Sequence, residues 1–145
     1  MIRLAMEKDA EELLLLNEAF NGKGLATVES IKNSLLENPQ EVVVVAEANG
    51  TIAGFVCVQI KKSFCYQDDL AEITEVFVAQ EYRRRKIAGK MVAYAEEYCM
   101  QQYRVHDFAL LSGKENDAAQ ALYRARGYQE EDEIFMTKVE GREQG

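Results

Sequence analysis

Apolar positions fall in two rhythms along this chain, alternating in short blocks and recurring at helical spacing between them. This predicts strands and helices in succession. Ile2 and Leu4 around Arg3 make a short strand over residues 1–5. From Lys8-Asp9 the period lengthens, and Ala10, Leu13, Leu14 and Phe20 mark a helix. Asn21-Gly22-Lys23-Gly24 ends it, because glycine reaches turn geometry at little cost. A second helix spans 27–37 and stops at Asn38-Pro39, since the residue before proline is pushed out of helical geometry. The valine-rich run 41–48 is a strand, and Asn49-Gly50 is the strongest hairpin signal in the chain, with 51–60 as the returning strand.

A polar loop over 61–69 carries Phe64, Tyr66, Asp68 and Asp69. The next strand, 70–78, leads through the basic turn Arg83-Arg84-Arg85-Lys86 into a long helix over 87–103. A strand at 108–111 follows, and a strand–helix–strand crossover implies that the two strands run parallel. Residues 112–115 lead to a last helix over 117–126, with Gly127 just past its end. A strand at 134–139 is expected to close the sheet, and 140–145 reads as a frayed tail. The predicted order is β-α-α-β-β-β-α-β-α-β, an α/β (α+β) chain. No repeat, linker or change of composition divides it, so 1–145 is expected to form a single domain.

Charge narrows the functional classes. With 17 basic and 25 acidic residues the net charge is −8, the wrong sign for a general nucleic-acid surface and a suitable one for a cationic amine. No apolar stretch is long enough for a membrane span and no secretory leader pattern is present, so a cytoplasmic protein with no membrane partner is expected. Cys57, Cys65 and Cys99 have neither disulfide-framework nor metal spacing, and Cys57 and Cys99 read as small buried hydrophobes. His106 is the only histidine, so a multi-histidine metal site is excluded.

The basic turn is the chemically pointed feature. A helix begins with unpaired, partly positive N–H groups, and cations placed there are mildly unfavourable. A bound polyanion reverses that sign, because backbone donors and side-chain charges then act together. Downstream stands Asn116-x-x-Ala119-x-x-x-Tyr123-x-x-x-Gly127-Tyr128. Together with Val76-Phe77-Val78, Tyr82-Arg83 and the run to Met91-Val92, this pattern resembles the two acetyl-CoA-binding motifs of the GNAT N-acetyltransferase superfamily.

The resemblance implies the GNAT fold, a mixed and mostly antiparallel sheet flanked by about four helices. It implies acetyl transfer from acetyl-CoA to a primary amine, with no metal and no covalent intermediate. The family's Arg/Gln-x-x-Gly-x-Gly/Ala frame falls on Arg83, Arg84, Arg85, Lys86, Ile87 and Ala88, followed by Gly89. Lys86 stands where the motif has glycine. These residues, with Val76, Phe77, Val78, Asn116 and Tyr123, are the implied cofactor-binding set. Tyr123 corresponds to the tyrosine that protonates the departing thiolate, which suits a phenol with a reference pKa of about 10. Asn116 is also the natural N-cap of its helix. Glu72 aligns with the base of the histone-acetylating members. Glu75 is its competitor, and alternation places the two on opposite faces unless a bulge intervenes. A backbone N–H near Val78 is expected to polarise the thioester carbonyl. The strand over 71–78 is similar to that of aminoglycoside N-acetyltransferases, and loops 21–26 and 61–69 are expected to wall a small-molecule amine site. A homodimer is left open. The competing reading is a non-catalytic acyl-CoA-binding regulatory module of the same fold. An RNA-binding module is disfavoured by the acidic background.

Overall fold

The computed structural model describes residues 1–141. The elements in order are β1 (Ile2–Leu4), α1 (Ala10–Asn21), α2 (Val28–Glu37), β2 (Glu41–Ala48), β3 (Thr51–Lys61), β4 (Asp69–Val78), α3 (Ile87–Gln102), β5 (Val105–Leu110) and α4 (Asp117–Ala125). Single turns of 3-10 helix at Glu7–Asp9 and Gln80–Tyr82 precede α1 and the basic turn. The five strands lie in sequence order across one sheet. β1 to β4 pair antiparallel, and β5 joins β4 in parallel through α3.

Local chemistry accounts for the boundaries. Asn49 and Gly50 both adopt positive φ, at 54° and 78°, the geometry that matches the twist of the flanking strands. Thr27 caps α2 by accepting from the Ser30 N–H at 3.0 Å, while the Ser30 hydroxyl receives the Thr27 N–H at 2.9 Å. Arg3 grips Asp9 with two parallel bonds of 2.8 and 3.0 Å. That bidentate contact, with the Met6 N–H, holds the buried Asp9 carboxyl below its ordinary range and fixes the entry to α1.

Each face of the sheet has its own core. On one, Met91, Val92, Ala95 and Cys99 of α3 pack on Val44, Val56, Val58, Ile60 and Ile73. Each fully buried aliphatic side chain contributes about 1.5–3 kcal/mol there. On the other, Leu13 meets Val45, Ile52 and Phe55, joined by Leu16, Ile31 and Leu35. Cys99 sits in the first core, where burial raises its thiol to about 11, and it behaves as a small hydrophobe. Cys57 is half-buried in β3.

Two expectations need correction. β5 begins at Val105, earlier than position 108, because exposed His106 and Asp107 hide its start from a hydrophobic pattern. The segment 134–139 forms no strand, and the sheet ends at β5. Its apolar run is strand-like, but a strand also needs an edge to pair with. The preceding 129–133 carries four carboxylates, whose mutual repulsion opposes a tight return to the sheet. Of the expected tail, Glu140 and Gly141 lie in a turn and 142–145 are outside the described residues.

Candidate active site

β4 is interrupted where chemistry needs it to be. Opposite β3, Cys57 pairs with Glu75 but Val58 pairs with Ile73, so Thr74 is an extra residue, a β-bulge. The bulge cancels one step of alternation. Glu72, opposite Gln59, and Glu75, opposite Cys57, therefore share the face that carries Phe55 and Phe77. Pairing with β5 ends at the same place. Its last rung joins Ile73 to Leu110, and β4 runs on to Val78 with no β5 residue opposite. The far half of β4 thus has an open edge.

The two glutamates occupy different settings. Glu72 lies within the zipped part of β4, opposite Ala109 of β5, and forms an ion pair with Lys61 at 2.9 Å. Glu75 lies in the opened part. Burial raises its carboxyl above the ordinary value, a hydrogen bond from Asn21 opposes the rise, and the nearby Glu41 charge adds to it. Asn21 ends α1 beside Phe20, whose ring stacks on Phe77 at 4.9 Å between centroids. Phe55 stands 6.0 Å from Phe77. Phe20 and Asn21 thus wall the Glu75 side, whereas sequence reading gave that role to loops 21–26 and 61–69 and did not include Phe20.

The basic turn bends back on β4. Arg83 donates from Nε to the Val78 carbonyl at 3.0 Å and lies 5.7 Å from the Phe77 ring centroid. Arg85 covers the Tyr82 ring at 5.4 Å. Arg84 and Lys86 take left-handed backbone angles, φ 66° and 61°, an arrangement that turns successive N–H groups toward one concavity. No side chain caps α3. Among the described residues none of the four cations enters a salt bridge, so their charge is uncompensated at a helix N-terminus. Ile87, Ala88 and Gly89 form the first turn. A Cβ at Gly89 would meet only Leu122 of α4, at 3.9 Å, an ordinary contact, so packing of the two helices does not require glycine there.

α4 carries the third component. Asn116 caps it, its side-chain oxygen accepting from Ala119 N–H at 3.3 Å. Tyr123 packs against the α3-side core, and burial raises its phenol above 10. No described residue hydrogen-bonds its hydroxyl. Gly127, at φ 97°, ends the helix, and Tyr128 donates its N–H to the Tyr123 carbonyl at 3.0 Å. The two rings meet edge to face at 5.9 Å.

Sequence reading missed what holds this end in place. Glu96 of α3 is buried, accepts the Tyr128 hydroxyl at 2.7 Å, and pairs with Arg126. Its signal was its position in the apolar stripe Met91, Val92, Ala95 and Cys99. A charge on a buried stripe requires partners from elsewhere.

No group of three or more metal-ligating side chains exists among the described residues, and no described helix is long and apolar enough to cross a membrane. The model of the acetyltransferase (GNAT) family matches residues 12–128. The chain is 26% identical over 107 residues to an uncharacterized N-acetyltransferase, YhfO, of Bacillus subtilis (strain 168), covering 74% of this chain and 71% of that one. It is 31% identical over 103 residues to a second protein of that strain, provisionally assigned as a ribosomal protein bS18-alanine N-acetyltransferase, covering 71% and 64%. An aminoglycoside acetyltransferase from an uncultured soil metagenomic sample, in complex with sisomicin, superposes with TM-score 0.83 at 18% identity, covering 98% of this chain and 96% of that one. AAC(6')-Iy in complex with the bisubstrate analog CoA-S-monomethyl-acetylneamine does so with TM-score 0.82 at 21% identity, covering 96% and 97%. At these identities the structural likeness is one of fold. The family match carries further: this chain belongs to the GNAT family of acetyltransferases and is an N-acetyltransferase.

Proposed function

We propose that residues 1–145 form one catalytic domain that moves acetyl from acetyl-CoA to a primary amine on a small polycationic acceptor. The observation that carries this reading is the open edge of β4 beyond the Thr74 bulge, on the strand that leads into an uncapped basic helix start. The residues present fit a CoA-type polyanion. Arg84, Arg85, Lys86 and the first-turn N–H groups of Ile87, Ala88 and Gly89 would hold the pyrophosphate, and Arg83 fixes the turn against Val78. Val76, Phe77 and Val78 would line the open edge, and Asn116 the far wall.

Bound there, acetyl-CoA supplies the acyl carbon and a thiolate leaving group. Glu75 takes a proton from the ammonium, directly or through one water, and frees the nitrogen lone pair. As the new C–N bond forms and the C–S bond breaks, the Tyr123 hydroxyl gives its proton to sulfur; the nitrogen's second surplus proton passes through water to the Tyr123 oxygen, and Glu75 releases its proton to solvent. A backbone N–H of the opened strand, near Val78, polarises the acyl oxygen. Glu75 is preferred to Glu72 because its raised carboxyl is the better-matched base and its place lies beyond the zipped part of β4. Glu72 is committed to Lys61 and serves as an acceptor-side charge.

The acceptor class rests on the shared face of Glu41, Glu72 and Glu75 and on the aromatic wall of Phe20 and Phe77. Fold neighbours in complex with sisomicin and with an acetylneamine analog are in keeping with it. Release of free CoA thiol across sisomicin, neamine, spermidine, lysine and an alanine-terminated peptide is the test. Polycationic amines should lead the panel. Preferential turnover of the peptide would overturn the acceptor assignment.

A further inference from the structure

The helix that carries Tyr123 is lightly held by packing. α4 is nine residues long and none of them is buried; Leu122 and Tyr123 touch the α3-side core only in part. What ties its end down is one carboxylate. Glu96 is 8% exposed on α3 and commits both oxygens to the foot of α4. Its Oε2 accepts from the Tyr128 hydroxyl at 2.7 Å, and its Oε1 pairs with Arg126. Both partners are bonded in turn to Tyr123. The N–H groups of Arg126 and Tyr128 each donate to the Tyr123 carbonyl at 3.0 Å, and the Tyr128 ring meets the Tyr123 ring edge to face.

α3 supplies the other end of this frame. Gly89, in its first turn beside Leu122, stands about two turns ahead of Glu96, so both lie on the face toward α4. One rigid helix therefore spans from the basic turn to the tether of α4. We propose that Glu96 is a positioning residue for acetyl transfer, one that sets the place of the Tyr123 hydroxyl relative to the turn Arg84 to Gly89. The proposal rests on the reading of Tyr123 as the proton donor to sulfur. An apolar residue at 96 would pack with less desolvation cost but would leave the rotation of α4 free, whereas two directed bonds fix it. The same bonds sort the two phenols. Burial and the bond to Glu96 raise the Tyr128 phenol far above its ordinary value, so its proton is retained. The Tyr123 hydroxyl has no described hydrogen-bond partner and is the one left to act.

The test is a rate cycle on Glu96→Gln and Tyr123→Phe. It is read as single-turnover release of CoA thiol with the fastest amine of the panel above, beside CoA affinity by calorimetry. Glutamine keeps the volume but puts an NH2 where one oxygen stood, so Arg126 and Tyr128 cannot both be held. Glu96→Gln should slow transfer by ~10–100-fold with CoA affinity unchanged, since a misplacement of about 1 Å costs on that order. In the Tyr123→Phe background the same change should cost nothing further, because the group it positions is gone. A residue that only stabilised the fold would slow both backgrounds equally. An unchanged rate in Glu96→Gln overturns the proposal, as does equal slowing with and without the Tyr123 hydroxyl. Full activity of Tyr123→Phe alone places the fault in the Tyr123 reading, and the proposal falls with it. Should Glu96→Gln lose CoA binding, Tyr128→Phe takes its place, since its ring still packs on Tyr123 and Arg126 keeps its pair. The same non-additive slowing is expected, and an unchanged or additive effect overturns the proposal.

Discussion

Lys86→Gly probes both the fold and the cofactor turn. Lys86 precedes α3 at φ 61° and ψ 21°, where an L side chain crowds the following carbonyl and costs about 1–2 kcal/mol. Glycine removes that crowding, but its looser unfolded chain takes back about 0.5–1 kcal/mol. The expected result is a gain of about 0.5–1 kcal/mol, or roughly 1–4 °C in Tm for a domain of this size. Lys86→Ala is the discriminating control. It removes the same ammonium yet keeps a Cβ in the left-handed region, so it should gain nothing. Urea denaturation of the three proteins separates strain relief from charge removal, and a glycine variant no more stable than the alanine one refutes the strain account. Calorimetry with CoA tests the other half. Lys86 is one of four clustered cations and the turn's N–H groups remain, so the glycine variant should bind within tenfold of the parent, roughly 1.4 kcal/mol. A larger loss would mean that the ammonium itself grips phosphate.

Tyr123→Phe deletes only the hydroxyl, so single-turnover acetylation should slow by about 10²–10⁴ with CoA affinity unchanged; full activity removes Tyr123 from the chemistry. Glu75→Gln should abolish the neutral-pH rate and recover it as rising pH deprotonates the amine in solution, while Glu72→Gln keeps the parental profile; rescue in Glu72→Gln alone would reassign the base. Because the folded protein holds the Glu75 proton to higher pH than the unfolded chain, ionisation above that range favours unfolding. Glu75→Gln should therefore be at least as stable as the parent at neutral pH, and a lower urea midpoint contradicts the sign. Gly54→Ala should cost about 1–3 kcal/mol in urea unfolding, since its Cβ would meet the Phe77 carbonyl oxygen at 2.5 Å and the Val78 Cα at 3.1 Å.

The parts of this fold legible in the sequence are those set by near neighbours. Asn49-Gly50 specifies its turn by backbone preference alone, while Asn116 through its side-chain cap and Gly127 through its positive φ bracket α4. The bulge was allowed for but not placed: apolar residues in β4 stand at 70, 71, 73 and 76–78, a pattern that tolerates an extra residue without locating it at Thr74. What pattern could not supply is the identity of a partner. The apolar run at 134–139 reads as a strand and says nothing of whether an edge is within reach to pair with it. Glu96 likewise reads as a misplaced charge until Arg126 and Tyr128 arrive from a helix thirty residues away.

The placement of the open β4 edge follows from the same geometry. A parallel strand can leave its neighbour cheaply only where backbone groups find another use or reach water, because buried unpaired amides are costly. The Thr74 bulge coincides with the last β4–β5 rung, so β4 changes twist as β5 departs. On the proposed reading, backbone groups beyond that point would meet the thioester arm, and the helix start that follows would hold its phosphates.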